Sequence, residues 1–161
     1  MRTALVFAAA FAALVSAASA AFAACSLPSD AEAMRGELVR LVNAERRERG
    51  LPALRPSEGL MRASLGHACD MVEENFFSHQ GSNRSTPRNR VRAEGLCTRL
   101  TAENIAMGWP SAARVFRDWM GSAAHRTNIL ADVDFYGIAV VAPQPGQGGG
   151  PRWVLTLVKG C

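Results

Sequence analysis

Two kinds of apolar spacing, in a fixed order along the chain, constrain its fold most. Met34, Leu38, Leu41 and Val42 recur at intervals of three and four, as do Met61, Leu65, Ala68 and Val72, a period that gathers each set on one side of a helix. Near the other end, residues 135–142 and 152–159 are rich in valine and leucine with partial alternation, the pattern of strands. A loop from Pro143 to Pro151 with four glycines joins them. Helices first and strands last, with a further helical segment between, predict an α+β layered domain. The chain has 161 residues and no internal repeat, which suits one domain with one sizeable core and a monomer.

Local signals refine the boundaries. Ser29-Asp30-Ala31-Glu32 reads as a capping box, and Gly50 as a stop, so the first helix is expected over about 30–49, with Arg46, Arg47 and Arg49 where the helix dipole favours cations. The second is expected over roughly 57–76. It ends at Asn75-Phe76-Phe77-Ser78-His79, where adjacent aromatics should anchor the chain in the core. His67, on the flank of its stripe, reads as a core-edge histidine bonded to backbone or water. Thr86-Pro87 opens a short helix ended by Gly95, and 98–107 a strand leading into Glu103. Pro110-Ser111 begins another helix, with Val115, Phe116, Trp119 and Met120 facing the sheet. Ser122 to Asn128 is a turn or short helix presenting His125.

Residues 1–24 have the form of a secretion signal: a basic start at Met1-Arg2-Thr3, an apolar run from Ala4 to Val15, and small-x-small sites at Ala18-Ser19-Ala20 and Ala21-Phe22-Ala23. The mature domain is then 25–161, secreted or periplasmic, since no second apolar run approaches about 18 residues. Phe22-Ala23-Ala24-Cys25 also resembles a lipoprotein processing site, the alternative being anchorage through a lipidated Cys25. Four cysteines in an exported chain argue for two disulfides. Three connectivities are open. Cys69 and Cys97 flank His79, so a Cys69–Cys97 bridge that braces it, with Cys25–Cys161 tying the ends, is the expected arrangement.

The formal charge of +4 rests on arginine, Lys159 being the only lysine. Arg84, Arg88, Arg90, Arg92 and Arg99 form a cluster that reads as a solvated face, or as a contact with an anionic cell-envelope surface. Nucleic acid is not expected, for want of interleaved aromatics or a binding motif.

Polar chemistry is concentrated in 101–130. Glu103 lies in the apolar frame of Ala102, Ile105 and Ala106, and a buried carboxylate must find a partner; His125 is a candidate. The run Glu103-Asn104-Ile105-Ala106, then Trp119-x-x-Ser122-x-x-His125-x-x-Asn128-Ile129-Leu130, then Phe135-x-Gly137-Ile138, with Phe77-Ser78-His79 upstream, resembles the bacterial branch of the CAP superfamily: cysteine-rich secretory proteins, antigen 5 and pathogenesis-related 1. The resemblance covers roughly residues 32–158. It implies a three-layer α-β-α sandwich with a central antiparallel sheet, and a cleft gathering His79, Glu103 and His125, with Ser122 and Asn104 beside them.

Two imidazoles and a carboxylate are ligands that suit zinc with a water in the fourth position, although no cofactor is required. The family's eukaryotic members carry a second glutamate before the second histidine; here Gly121-Ser122 occupy that region and Asp118 is the nearby acid. The expected function is an exported binding module for a small ligand, lipid or peptide. The alternative is a hydrolase in which His125 or His79 is a base oriented by Glu103, with Ser122 or Ser78 as nucleophile or with a metal-bound water. Neither a Gly-x-Ser-x-Gly elbow nor a His-Glu-x-x-His motif is present. A third use of the polar cluster is structural, as a satisfied buried network.

Overall fold

The computed structural model describes residues 25–161; the expected secretion signal lies outside the described residues. Chain order is α1 (Ala31–Glu48), β1 (Arg55–Pro56), α2 (Glu58–Glu73), α3 (Pro87–Ala93), β2 (Leu100–Met107), α4 (Ala112–Gly121), α5 (Ala123–Ile129), β3 (Phe135–Val141) and β4 (Arg152–Lys159). The sheet runs β1-β3-β4-β2. β4 pairs antiparallel with both β3 and β2, Thr156 lying opposite Gly137 on one side and Glu103 on the other. The two-residue β1, parallel to β3, was not foreshadowed by any periodicity.

Strand alternation divides the sheet between two helical layers. Ile138, Val140, Trp153, Leu155 and Leu157 share a core with α1 and α4 through Leu38, Val42, Val115 and Trp119. Ile105, Ala139, Val141 and Val154 share the other with Ala68, Met71 and Val72 of α2. Because both faces are covered, β4 is buried at every position from Arg152 to Val158, which is why its sequence reads as a nearly continuous apolar run. The result is the α-β-α sandwich.

Close approach on the α2 side depends on Gly137. A Cβ there would overlap the carbonyl of Leu60, so α2 can lie on β3 only where the strand has no side chain. Gly50 adopts φ +72° and ends α1 in a Schellman motif: its amide donates to Arg47 O (2.9 Å) and that of Leu51 to Arg46 O (2.9 Å). The start of α1 differs from expectation. Asp30, at φ −105° and ψ 16°, is the N-cap residue and no side-chain cap bond forms, because a capping box needs an extended residue there. The reciprocal box forms instead on α3, between Thr86 and Asn89, with Pro87 following the cap.

Arg46 is another departure. It is almost wholly buried; its guanidinium donates to Pro52 O (2.9 Å), Ile129 O (2.8 Å), Ala131 O (2.9 Å) and Val133 O (3.1 Å), stapling α1 to the turn after α5. Burial lowers its pKa, with Asp132 and Asp134 opposing that shift.

The disulfides correct the expected pairing. Cys25 is bonded to Cys69 and Cys97 to Cys161, in place of Cys69–Cys97 and Cys25–Cys161. Neighbouring hydrogen bonds explain why. Ala142 N donates to Ser26 O (2.8 Å), laying residue 26 against the end of β3 and within reach of α2; Arg99 N donates to Lys159 O (2.9 Å), bringing residue 97 beside the end of β4. Of the two aromatics at the end of α2, Phe76 packs against the α2 core, but Phe77 is 44% exposed. The chain turns between them.

Candidate functional site

α2 ends in the same way as α1, with an asparagine at the left-handed position. Asn75 has φ 50°, its amide donates to Val72 O (3.4 Å) and that of Phe76 to Met71 O (3.0 Å). This reversal carries 76–79 back towards the sheet edge. There His79 Nδ1 donates to Glu103 Oε1 at 2.9 Å; since a carboxylate only accepts, Nδ1 carries the hydrogen and the Nε2 lone pair is free in the neutral ring. The ring is half exposed and the Glu103 side chain almost wholly buried.

Two residues not expected at the site complete the surroundings of Glu103. Arg90 Nη2 donates to Oε2 at 2.7 Å and to His79 O at 3.1 Å, and Nη1 to Ser85 O at 3.0 Å. His67 Nε2 lies 3.8 Å from Oε1 and donates to Ser78 O at 2.9 Å, the backbone bond expected of it. Burial lowers the His67 pKa more than Glu103 raises it, and Arg90 lowers it further. No local signal in the sequence separates Arg90 from Arg88 and Arg92; its place at Glu103 follows from how α3 packs on β2.

Asn104 follows Glu103 but faces the other layer. Its Nδ2 donates to His125 O (3.0 Å) and its Oδ1 accepts from Asn128 Nδ2 (2.9 Å), which also reaches Glu103 O (3.2 Å). Trp119, fully buried, donates from Nε1 to Ile105 O (3.2 Å), and its ring centroid is 6.3 Å from that of His125. These bonds cover the outer edge of β2 and fix α5 on it. His125 Nδ1 is buried without a partner among the described residues. Burial lowers the pKa of His125; Asp118 opposes the shift and His79 adds to it.

These side chains form two groups, one on either side of the edge strand. His79, Glu103, His67 and Arg90 lie towards α2 and α3; Asn104, His125 and Asn128 lie towards α4 and α5. It is His79 that takes the carboxylate, not His125. Ser122 is the N-cap residue of α5, without a side-chain cap bond. Ser78 Oγ accepts from Gln80 N (3.0 Å).

The donor set does not fit the expected metal arrangement. Among the described residues no group of three His, Cys, Asp or Glu side chains is placed to hold a metal ion, and Glu103 Oε2 already faces a guanidinium.

A sheet antiparallel but for the two-residue β1, lying between helical layers, is an α-β-α sandwich of the SCP type. The family model for cysteine-rich secretory proteins, CAP, matches residues 39–157, and the chain belongs to that family. It is 35% identical over 105 residues to the uncharacterized protein YkwD of Bacillus subtilis (strain 168), covering 65% of this chain and 41% of that protein. It is 26% identical over 118 residues to the uncharacterized membrane protein YlbC of the same strain, covering 73% and 34%. The chain thus spans less than half the length of these relatives.

Two solved structures share the fold. One is an extracellular protein containing an SCP domain from Bacillus anthracis (TM-score 0.72, 22% identity, 80% of this chain and 41% of that one). The other is an outer surface protein from Borrelia burgdorferi (TM-score 0.75, 20% identity, 85% and 99%). Among the described residues no helix is long and apolar enough to cross a membrane.

Proposed function

We propose that this chain is an exported CAP-domain binding module, working through the surface around His79, Glu103 and His125, rather than a hydrolase. One observation carries the reading: Glu103 orients His79, yet among the described residues no serine hydroxyl bonds to the ring of His79 or of His125. An oriented imidazole acts as a base only on a nucleophile within hydrogen-bond reach. What remains open is the Nε2 edge of His79, oriented by Glu103. Such an edge accepts a donor from a peptide or a lipid headgroup, or binds a divalent ion weakly. The arginine-rich α3 beside it would favour anionic surroundings in the cell envelope. Secretion or periplasmic location rests on the signal-like residues 1–24 and accords with the extracellular and outer-surface proteins of like fold.

The test is a titration of oxidised, tag-free protein with zinc and with short peptides, followed through the imidazole nitrogens, alongside turnover assays on peptide, ester and glycan substrates. Shifts centred on His79 and absent in His79→Ala, without turnover, are the expected result. Hydrolysis lost in both Glu103→Ala and His125→Ala, with thermal unfolding unchanged, would place the chain among hydrolases.

A further inference from the structure

The five arginines clustered between residues 84 and 99 do not share one fate. Arg90 turns inward to Glu103, whereas Arg84, Arg88, Arg92 and Arg99 are exposed. None of these four enters an ion pair among the described residues. Glu94 is the only acid between Asn75 and Ala102, and Arg62 takes it at 2.7 Å. The whole chain has a formal charge of +4, so these four arginines amount to its entire positive excess, gathered on α3 and its flanks.

Local structure does not account for the gathering. Arg88 lies in the first turn of α3, where the helix dipole disfavours a cation, and no acid stands there to offset it. Arg92, one turn further on, shares its face, and like charges at that spacing repel. Arg88 is nonetheless pinned by a bond from Nη2 to Thr98 O (2.9 Å), which holds the segment carrying Arg99 alongside. Nor do the four converge on one point. The pocket beside them, between α2 and α3, is lined by Arg90 and by none of the four, so they offer a small anion no enclosed seat. Outward-facing cations on a helix suit a partner that is itself an extended anionic surface.

Phe77 decides between a soluble polyanion and a bilayer. It is 44% exposed, and its loop is laid against the arginine segment by bonds from Arg90 Nη2 to His79 O (3.1 Å) and from Gln80 Nε2 to Arg84 O (3.5 Å). An exposed aromatic beside cations is the combination that holds a protein on a membrane surface, ring at the acyl boundary and guanidiniums among the phosphates. A soluble polyanion would gain little from the ring. We propose that α3 and the 77–80 loop dock this protein on an anionic lipid bilayer through Arg84, Arg88, Arg92, Arg99 and Phe77. The inference rests on the exported location under Proposed function, and it turns the half-exposed His79 towards lipid headgroups.

The experiment is cosedimentation of the oxidised protein with vesicles of phosphatidylcholine, alone or with about 30% phosphatidylglycerol, at about 50 and 500 mM salt. Binding to the anionic vesicles only is expected, falling about tenfold or more at the higher salt. Arg88→Gln and Arg92→Gln should each lower partitioning about fivefold, and the Arg84→Gln/Arg99→Gln pair gives a second reading should either change disturb α3. The Arg114→Gln/Arg117→Gln pair removes the same charge from exposed positions outside the cluster and should have a much smaller effect. Phe77→Ser should weaken binding to vesicles but not to inorganic polyphosphate. Equal binding to neutral vesicles, an equal loss from the Arg114/Arg117 pair, or no effect of Phe77→Ser on vesicle binding would overturn the proposal. The zinc and peptide titration at His79 is read on the same protein without vesicles, so failure of this docking and failure of the binding-module reading are seen separately.

Discussion

Arg90→Met removes the cation from Glu103 and leaves a carboxylate whose side chain is only 2% exposed. Removing one member of a fully buried ion pair costs about 3–5 kcal/mol. Arg90 itself is 12% exposed, so water can reach part of the vacated space, and the bonds to His79 O and Ser85 O become solvated rather than stranded. We therefore expect a loss of about 2–4 kcal/mol. The assay is urea denaturation of the oxidised protein at pH 7.5, with Arg92→Met as reference, since Arg92 is exposed on the same helix and should change stability by less than about 0.5 kcal/mol. Glu103→Gln combined with Arg90→Met should be less destabilising than the sum of the single changes by about 1–3 kcal/mol. An Arg90→Met variant as stable as Arg92→Met, or strict additivity in the cycle, would refute the view that Arg90 is what permits Glu103 to be buried and charged.

Non-reducing peptide mapping should recover Cys25 joined to Cys69 and Cys97 joined to Cys161; a diacylglycerol on Cys25 would instead show the lipoprotein route. Gly137→Ala should cost about 3 kcal/mol or more by forcing α2 off the sheet at Leu60, measured by denaturant midpoint; a change under about 1 kcal/mol would mean that the strand yields there. His67 and His125 both have folded pKa values below the ordinary 6.5, so on acidification the unfolded chain takes up protons first. Their effect is absent well above pH 6.5, and stability falls as pH drops below 6.5 towards the folded values, where it levels. Unfolding free energies measured from pH 7.5 down to 5 that rose on acidification would contradict this.

The long helices and the last two strands were legible because their apolar residues keep the pattern of the element, and Gly50 and Pro87 mark ends by restricting the backbone. Legibility failed where a distant segment decides the outcome. Arg46 reads as a last-turn cation, yet it is buried because three carbonyls more than eighty residues away converge on it. The disulfides follow from which strand ends lie side by side, and spacing between cysteines carries no information about that. β1 exists only as a two-residue partner of β3. Within the site, strand alternation sends Glu103 and Asn104 to opposite layers, so His79 takes the carboxylate while His125 is attached through Asn104 and Asn128. Arg90 and His67 look like ordinary helix-borne polar side chains, and only the approach of β2 brings Glu103 against them.

The Arg46 staple sets the mechanical character of the His125 side. A turn without regular hydrogen bonding of its own would ordinarily be among the softest parts of a domain. Here its carbonyls are drawn onto one guanidinium rooted in the longest helix, so the turn and α5 move with α1 as a single body. A ligand arriving at His125 meets a wall whose shape was settled during folding, and loses no further freedom in ordering it. On the other bank the half-exposed ring of His79 is held as firmly, by Glu103 through its Nδ1 and by Arg90 through its carbonyl, so both walls present a settled shape.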